Sequence, residues 1–235
     1  PPLIAIPTTA GTGSEATHFA VAYVENVKYS VAHTALLPDY AIVDSTLTHS
    51  LPASITAATG LDAFCQAVES IWAVGATDDS VDHASESARL AWKSLVAATR
   101  NPTADVRQDM CRAAHLAGQA INISKTTASH ALSYSITSKY GIPHGIAVAV
   151  TLSPMLAYNA QVSDLDCADP RGPEHVRRRI GIILELLGVT SVAAACDRIE
   201  NLISATGCPN SLSRLGLTTD AQMRRLVNQV DAHRL

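Results

Sequence analysis

The chain has 235 residues, of which 47% are hydrophobic and 16% are charged, so it can bury a large core and is not intrinsically disordered. Its 17 basic residues are outnumbered by 21 acidic residues, giving a net charge of −4, and they form no cluster that could follow a phosphate backbone. The longest apolar stretch, residues 145–158, is interrupted by polar residues and a proline and is shorter than the roughly 20 apolar residues of a membrane span. We therefore expect neither a nucleic acid nor a membrane as a partner.

The cysteine content indicates the redox environment. Five cysteines are scattered along the chain without a Cys-x-x-Cys pair, and no basic-then-apolar leader opens the sequence. This pattern is typical of a reducing compartment, so we expect a cytoplasmic protein without a disulfide framework. The cysteines themselves are expected to be small buried hydrophobic residues.

The first 45 residues contain short apolar runs that predict strands. Residues 3–7 form the first run, and residues 19–23 and 29–31 flank a polar Glu25-Asn26 turn, which predicts a hairpin. Residues 40–43 form a last short run. These strands are too few for an independent sheet, so this segment is expected to be the tail of an α/β unit.

From residue 52 onward the apolar residues follow the helical period. Short connections separate the predicted helices, which is the pattern of an all-α bundle. The fold class is therefore mainly α, with residues 1–50 as the remnant of an α/β domain and residues 51–235 as a helical domain. The predicted helices cover residues 54–72, 78–99, 103–123, 130–140, 144–159, 173–187, 192–205 and 219–234.

A loop of small residues follows the first predicted strand. Thr8, Thr9, Gly11, Thr12 and Gly13 provide hydroxyl groups, backbone N–H groups and little bulk, so a phosphate or a nicotinamide could approach this backbone closely. The sequence is neither a Gly-x-Gly-x-x-Gly motif nor a Walker loop. An ordinary glycine-rich turn explains the same residues.

Asp62, Gln66, His130 and His144 are the candidate metal ligands. Asp62 and Gln66 are four residues apart and share one face of an apolar helix, where an unpaired carboxylate is costly. His144 follows a Gly141-Ile142-Pro143 break, fourteen residues after His130. Two imidazoles and a carboxylate suit Zn²⁺ or Fe²⁺. The alternative is a solvent-facing Asp62–Gln66 pair and two histidines that pack in the core.

Three motifs closely resemble those of the iron-containing (group III) alcohol dehydrogenases. They are Pro-Thr-Thr-Ala-Gly-Thr-Gly-Ser-Glu at residues 7–15, Ala-Ala-Thr-Gly-Leu-Asp-Ala at residues 57–63, and Ile-Pro-His-Gly at residues 142–145, fourteen residues after a histidine. The resemblance covers nearly the whole chain and weakens after about residue 160. It implies a helical C-terminal domain, a metal between two domains, and hydride transfer between NAD(P)H and an aldehyde or alcohol.

The resemblance also implies roles for individual residues. Asp62, His130 and His144 match the family's ligands to Fe²⁺ or Zn²⁺, whereas Gln66 stands where the second ligand is usually histidine. The site then has either three ligands or a fourth ligand, the amide oxygen of Gln66, that binds more weakly than imidazole. The small-residue loop and Lys28 would contact NAD(P)H, and Tyr134 replaces a histidine that many relatives carry.

Within the family, residues 125–134 and 28–33 look like the subgroup of phosphonoacetaldehyde reductases. Lys125, Thr126 and Tyr134 are the corresponding substrate candidates. Lys125 and Thr126 precede the helix of His130, whose N–H groups and dipole would favour an anionic substrate. Alternatively, Thr126 or Thr127 simply caps that helix. Reduction of an uncharged aldehyde, or a non-catalytic helical assembly module, would also fit.

The chain lacks the N-terminal segment that resembling proteins use to hold the pyrophosphate. We therefore expect it to be the C-terminal portion of a longer enzyme, inactive by itself and poor at binding a dinucleotide. Its strands would have unpaired edges, which predicts a homo-oligomer. The expected ligand is a small aldehyde or alcohol.

Overall fold

The computed structural model describes residues 2–24, 27–228 and 230, and it places the side chains of all of these except residues 23–30. The predicted Glu25-Asn26 turn therefore lies outside the described residues. Within the described part, the mainly α fold is confirmed. Its eight α-helices are α1 (Ala53–Trp72), α2 (Asp78–Arg100), α3 (Ala104–Ser124), α4 (Ala128–Tyr140), α5 (His144–Asn159), α6 (Pro173–Leu186), α7 (Val192–Ala205) and α8 (Asp220–Val227).

Capping residues explain where several helices begin. Thr77 and Ser80 form a capping box at the start of α2, and Thr103 accepts a hydrogen bond from the Val106 N–H at the start of α3. The described part of α8 ends at Val227, and most of its predicted continuation to residue 234 lies outside the described residues. Leu226 is the only buried side chain of α8.

The N-terminal segment forms two small sheets. Strand β1 (Ile4–Ala5) pairs in parallel with β4 (Tyr40–Ala41), and β2 (Phe19–Val24) pairs antiparallel with β3 (Val27–Ala32). The predicted hairpin is thus confirmed. Large apolar side chains of this segment remain exposed, so it adds little to the core. The division into domains at residue 50 stays a prediction.

Helix α1 lies at the centre of the bundle. It packs against α2, α3, α5 and α6, and nearly every side chain from Thr56 to Trp72 is buried. Because neighbours cover all its faces, its polar residues Asp62, Gln66 and Glu69 are carried into the interior. The candidate metal ligand on this helix is therefore buried, and a solvent-facing Asp62–Gln66 pair is excluded.

Among the described helices, none is both long and apolar enough to cross a bilayer. All five cysteines are free; Cys65 and Cys111 are buried and the other three are partly exposed.

Candidate metal centre

Asp62, His130 and His144 converge on one point. Each offers one ligand atom, and these atoms all lie within 4.8 Å of one another. The Oδ1 atom of Asp62 is 3.3 Å from Nε2 of His130 and 3.7 Å from Nε2 of His144. The predicted convergence of these three side chains is therefore confirmed. That these residues bind a metal stays a prediction.

Three helix segments bring the cluster together. Helix α4 carries His130 in its first turn and ends at Gly141, which has a left-handed φ of 68°. Pro143 then precedes α5, whose first residue is His144. The next residue, Gly145, lies against α1: an added Cβ would lie 1.8 Å from the carbonyl oxygen of Ala58 and 3.0 Å from Cβ of Asp62. Only glycine therefore lets α5 approach α1 closely enough to present His144 beside Asp62.

A serine orients the ring of His144. The hydroxyl of Ser133 donates to the carbonyl oxygen of His130 at 2.6 Å. The hydroxyl oxygen of Ser133 also lies 3.2 Å from Nδ1 of His144. Because the hydroxyl proton is used on the carbonyl, the oxygen accepts the proton of Nδ1. This arrangement places the His144 proton on Nδ1 and turns Nε2 toward Asp62.

A buried carboxylate, Glu69, performs the same task for His130. Oε2 of Glu69 contacts Nδ1 of His130 directly. Oε1 of Glu69 accepts from the Thr127 hydroxyl at 2.7 Å, from the Ser129 N–H at 2.8 Å and from the His130 N–H at 3.4 Å. Glu69 therefore caps the start of α4 and orients the imidazole with one group.

Opposing charges decide the electrostatics of the cluster. Burial alone would raise the pKa of Asp62, but the hydrogen bond and charge of His130 and the charge of His144 bring it below its usual value. Burial would likewise lower the pKa of His130, yet the Glu69 charge and the Asp62 hydrogen bond raise it to about 9. The pKa of Glu69 is lowered, since the His130 charge together with the hydrogen bonds from His130, Thr127 and Ser129 outweighs burial. Both carboxylates are thus held ionised, which suits a site for a cation.

Gln66 lies one turn after Asp62 on α1 and is 4% exposed. Its Nε2 donates to the carbonyl oxygen of Thr12 at 3.3 Å. Its Oε1 is buried and has no hydrogen-bond partner among the described residues. A buried acceptor without a donor is uncommon in folded proteins, and a cation is one partner that would satisfy it.

The candidate cofactor loop packs against two helices. An added Cβ on Gly11 would lie 2.5 Å from Cβ of Thr59 on α1, and one on Gly13 would lie 2.6 Å from Cα of Gly118 on α3. Both glycines are thus explained by helix packing. Thr8 and Thr12 are exposed and Thr9 is half-buried. Their contact with NAD(P)H stays a prediction, as does that of Lys28, whose side chain lies outside the described residues.

The substrate candidates lie near the cluster in sequence and, for Tyr134, in space. The Tyr134 ring stacks on that of His144, with centroids 5.9 Å apart and an interplanar angle of 4°. Lys125 is exposed and ends α3 with φ 64° and ψ 174°, a backbone conformation that is costly for any residue except glycine. Thr126, the residue after Lys125, is half-buried. Their substrate contacts stay predictions.

One argument for an anionic substrate is wrong. The N–H groups of Ser129 and His130 at the start of α4 were expected to face the substrate, but they donate to Glu69. The side chain of Thr127 does not cap the helix either. A carboxylate of this protein already neutralises that helix terminus.

Comparison with known protein families identifies the chain. The profile described as "Fe-containing alcohol dehydrogenase family, C-terminal" matches residues 56–232, and the one described as "Iron-containing alcohol dehydrogenase" matches residues 1–45. The chain belongs to the iron-containing alcohol dehydrogenase family. The resemblance noted in the three motifs is thus confirmed.

Individual relatives agree with this assignment. The chain is 38% identical over 208 residues to phosphonoacetaldehyde reductase of Streptomyces viridochromogenes, covering 87% of this chain and 52% of that protein. It is 35% identical over 222 residues to long-chain-alcohol dehydrogenase 1 of Geobacillus thermodenitrificans, covering 94% of this chain and 55% of that protein. The chain therefore spans about half the length of these curated relatives.

A solved structure shows the same fold. Sulfoacetaldehyde reductase of Bifidobacterium kashiwanohense, crystallised with NAD⁺, superposes with a TM-score of 0.88 at 34% identity. The superposition covers all of this chain and 59% of that one. The matched proteins are thus named as alcohol dehydrogenases and as reductases of aldehydes.

The residues present fit the divalent cation that the family name implies. The cluster combines an ionised carboxylate with two imidazole nitrogens, and Gln66 adds a buried acceptor. Outer partners on both Nδ1 atoms are the usual support of metal-binding histidines. Glu69 was missed in the sequence, although it lies seven residues after Asp62 on the same face of an apolar helix.

Proposed function

We propose that this chain is the metal-binding portion of an NAD(P)H-dependent alcohol dehydrogenase that reduces an aldehyde. Asp62, His130 and His144 would hold Fe²⁺ or Zn²⁺, and Oε1 of Gln66 would be a fourth, weaker ligand. The observation that carries the proposal is the convergence of one carboxylate and two imidazoles, with the outer nitrogen of each imidazole already engaged.

The roles of the chain's own residues follow from their positions. When bound, the cation supplies Lewis-acid polarisation of the substrate oxygen, and the nicotinamide supplies the hydride. Asp62 provides the compensating negative charge, while Ser133 and Glu69 fix the rings of His144 and His130. The His144 side chain is 37% exposed, whereas those of Asp62 and His130 are each 5% exposed, so the cluster opens on the His144 side. Tyr134 stacks on His144 and would contact the substrate there.

An anionic aldehyde is the proposed substrate class, with phosphonoacetaldehyde as the example. Its support is the similarity to proteins named for phosphonoacetaldehyde and sulfoacetaldehyde, together with the exposed cation of Lys125. An uncharged aldehyde is the second candidate, favoured by the similarity to a long-chain-alcohol dehydrogenase.

The remaining proposals concern partners. Thr8, Thr9, Thr12 and Lys28 would contact NAD(P)H, together with backbone groups at Gly11 and Gly13. A homo-oligomer is proposed because, in the described residues, β1–β4 and β2–β3 are each two-stranded sheets whose unpaired edges could associate. A cytoplasmic location is proposed as well.

The test is an aldehyde reductase assay of the metal-loaded chain, alone and with a nucleotide-binding domain taken from a relative. Oxidation of NADH and NADPH is followed with phosphonoacetaldehyde, sulfoacetaldehyde and a neutral aldehyde of equal length. We expect turnover only with the added domain and a preference for the anions. Preference for the neutral aldehyde would favour the second candidate. Metal binding without turnover in any combination would indicate a non-catalytic module.

A further inference from the structure

Glu69 is a buried carboxylate whose two oxygens face different groups of the segment 127–130. Its side chain is fully buried, and its two oxygens receive four donors from the segment 127–130. Three donors share Oε1, and Nδ1 of His130 alone faces Oε2. Two of the donors on Oε1 are backbone N–H groups, which cannot become acceptors.

The imidazole of His130 can change which of its nitrogens carries the proton. A neutral imidazole can carry its proton on either nitrogen, and the group that faces one nitrogen decides the state of the other. A carboxylate can only accept, so Oε2 of Glu69 keeps the proton on Nδ1. Nε2 lies on the opposite side of the ring, 3.3 Å from Asp62 Oδ1, where the cluster converges, so it is the nitrogen that a cation would reach.

We propose that Glu69 is a positioning residue that fixes the tautomer of His130, so that Nε2 is available to a divalent cation. The inference rests on the proposed function, because it concerns the same site. Glu69 also connects α1, which carries Asp62, to the first turn of α4, so one carboxylate sets both the place and the protonation of the ligand.

Glu69→Gln tests this with a minimal change of shape. The amide oxygen is expected at the Oε1 position, because two backbone N–H groups there require an acceptor. The amide NH₂ then faces Nδ1 and donates to it, which moves the imidazole proton to Nε2 and directs it into the site. We expect the Zn²⁺ affinity to fall roughly 10-fold to 100-fold, the range for outer partners of metal ligands.

Thr127→Val is the matched control. It removes the hydroxyl that donates to Oε1 of Glu69 at 2.7 Å but leaves the contact with His130. We expect its Zn²⁺ affinity to stay within about threefold of wild type, whatever it costs in stability. Equal losses of affinity in Glu69→Gln and Thr127→Val would show a merely structural role and overturn the proposal.

A second readout needs no metal. In ¹⁵N-histidine-labelled, metal-free protein, the Nδ1 proton of His130 is expected as a slowly exchanging signal in wild type and Thr127→Val. It is expected to be absent in Glu69→Gln, and its retention there would overturn the proposal. If the wild-type chain takes up no Zn²⁺ in chelator competition, the proposed function fails, while this proton still decides whether Glu69 sets the tautomer.

Discussion

The helical region and the N-terminal strands differ in how completely they are packed. Helix α1 is covered by α2, α3, α5 and α6, and its Ile71 is 0% exposed. The strands instead leave large apolar residues in solvent, such as Ile4 at 51% and Tyr40 at 63%. The cluster of Asp62, His130 and His144 lies entirely in the first region, while the candidate cofactor loop lies in the second. The difference indicates that tight packing within this chain holds the cluster, whereas the strands beside the candidate cofactor loop are only loosely packed.

Ile71→Ala should have the largest effect on stability. It removes a fully buried side chain from the helix that carries Asp62, leaving a cavity in the main core. We expect the free energy of unfolding to fall by about 2–5 kcal/mol, measured by urea denaturation. A loss below about 1 kcal/mol would mean that the packing around α1 is looser than described.

Gly145→Ala should have an intermediate effect on stability and a direct effect on the site. Since the new Cβ would lie 1.8 Å from the Ala58 carbonyl oxygen, α5 must move away from α1 and take His144 with it. We expect a loss of about 1–3 kcal/mol, the range for overpacking, together with weaker Zn²⁺ binding in chelator competition.

Gly181→Ala is the control for that substitution. Gly181 lies inside α6, and apart from its chain neighbours and the backbone of α6 no described heavy atom lies within 4 Å of an added Cβ. Alanine should therefore stabilise the helix slightly and leave Zn²⁺ binding unchanged. Unchanged Zn²⁺ binding in Gly145→Ala would contradict the role of this close approach.

Ile4→Ala should have the smallest effect. The same side chain is shortened as at Ile71, but on β1, where half of it is exposed. We expect the free energy of unfolding to fall by less than about 0.5 kcal/mol in the same urea measurement. A loss comparable to that of Ile71→Ala would show that β1 is already buried in solution, for example against a second copy of the chain.

Local sequence signals predicted the helices well and the interior contacts poorly. The helices 144–159 and 192–205 follow from the apolar period and, for the first of them, from a proline break, which are local signals. The position of Glu69 does not follow, because a single charged residue on a helix is usually solvated, and its burial depends on how other helices pack around α1. The sequence shows the glycines of the loop, but which helix approaches each of them depends on tertiary structure.

Asp62, His130 and His144 are proposed to form a metal site in this chain. The most direct test is anomalous diffraction at the zinc edge from crystals of the full chain grown with Zn²⁺. We expect one strong peak at about 2.0–2.2 Å from a carboxylate oxygen of Asp62 and from Nε2 of both histidines. Its distance from Oε1 of Gln66 also decides between three and four protein ligands. A peak bound elsewhere, or the absence of a peak at this cluster in zinc-saturated crystals, would contradict the claim.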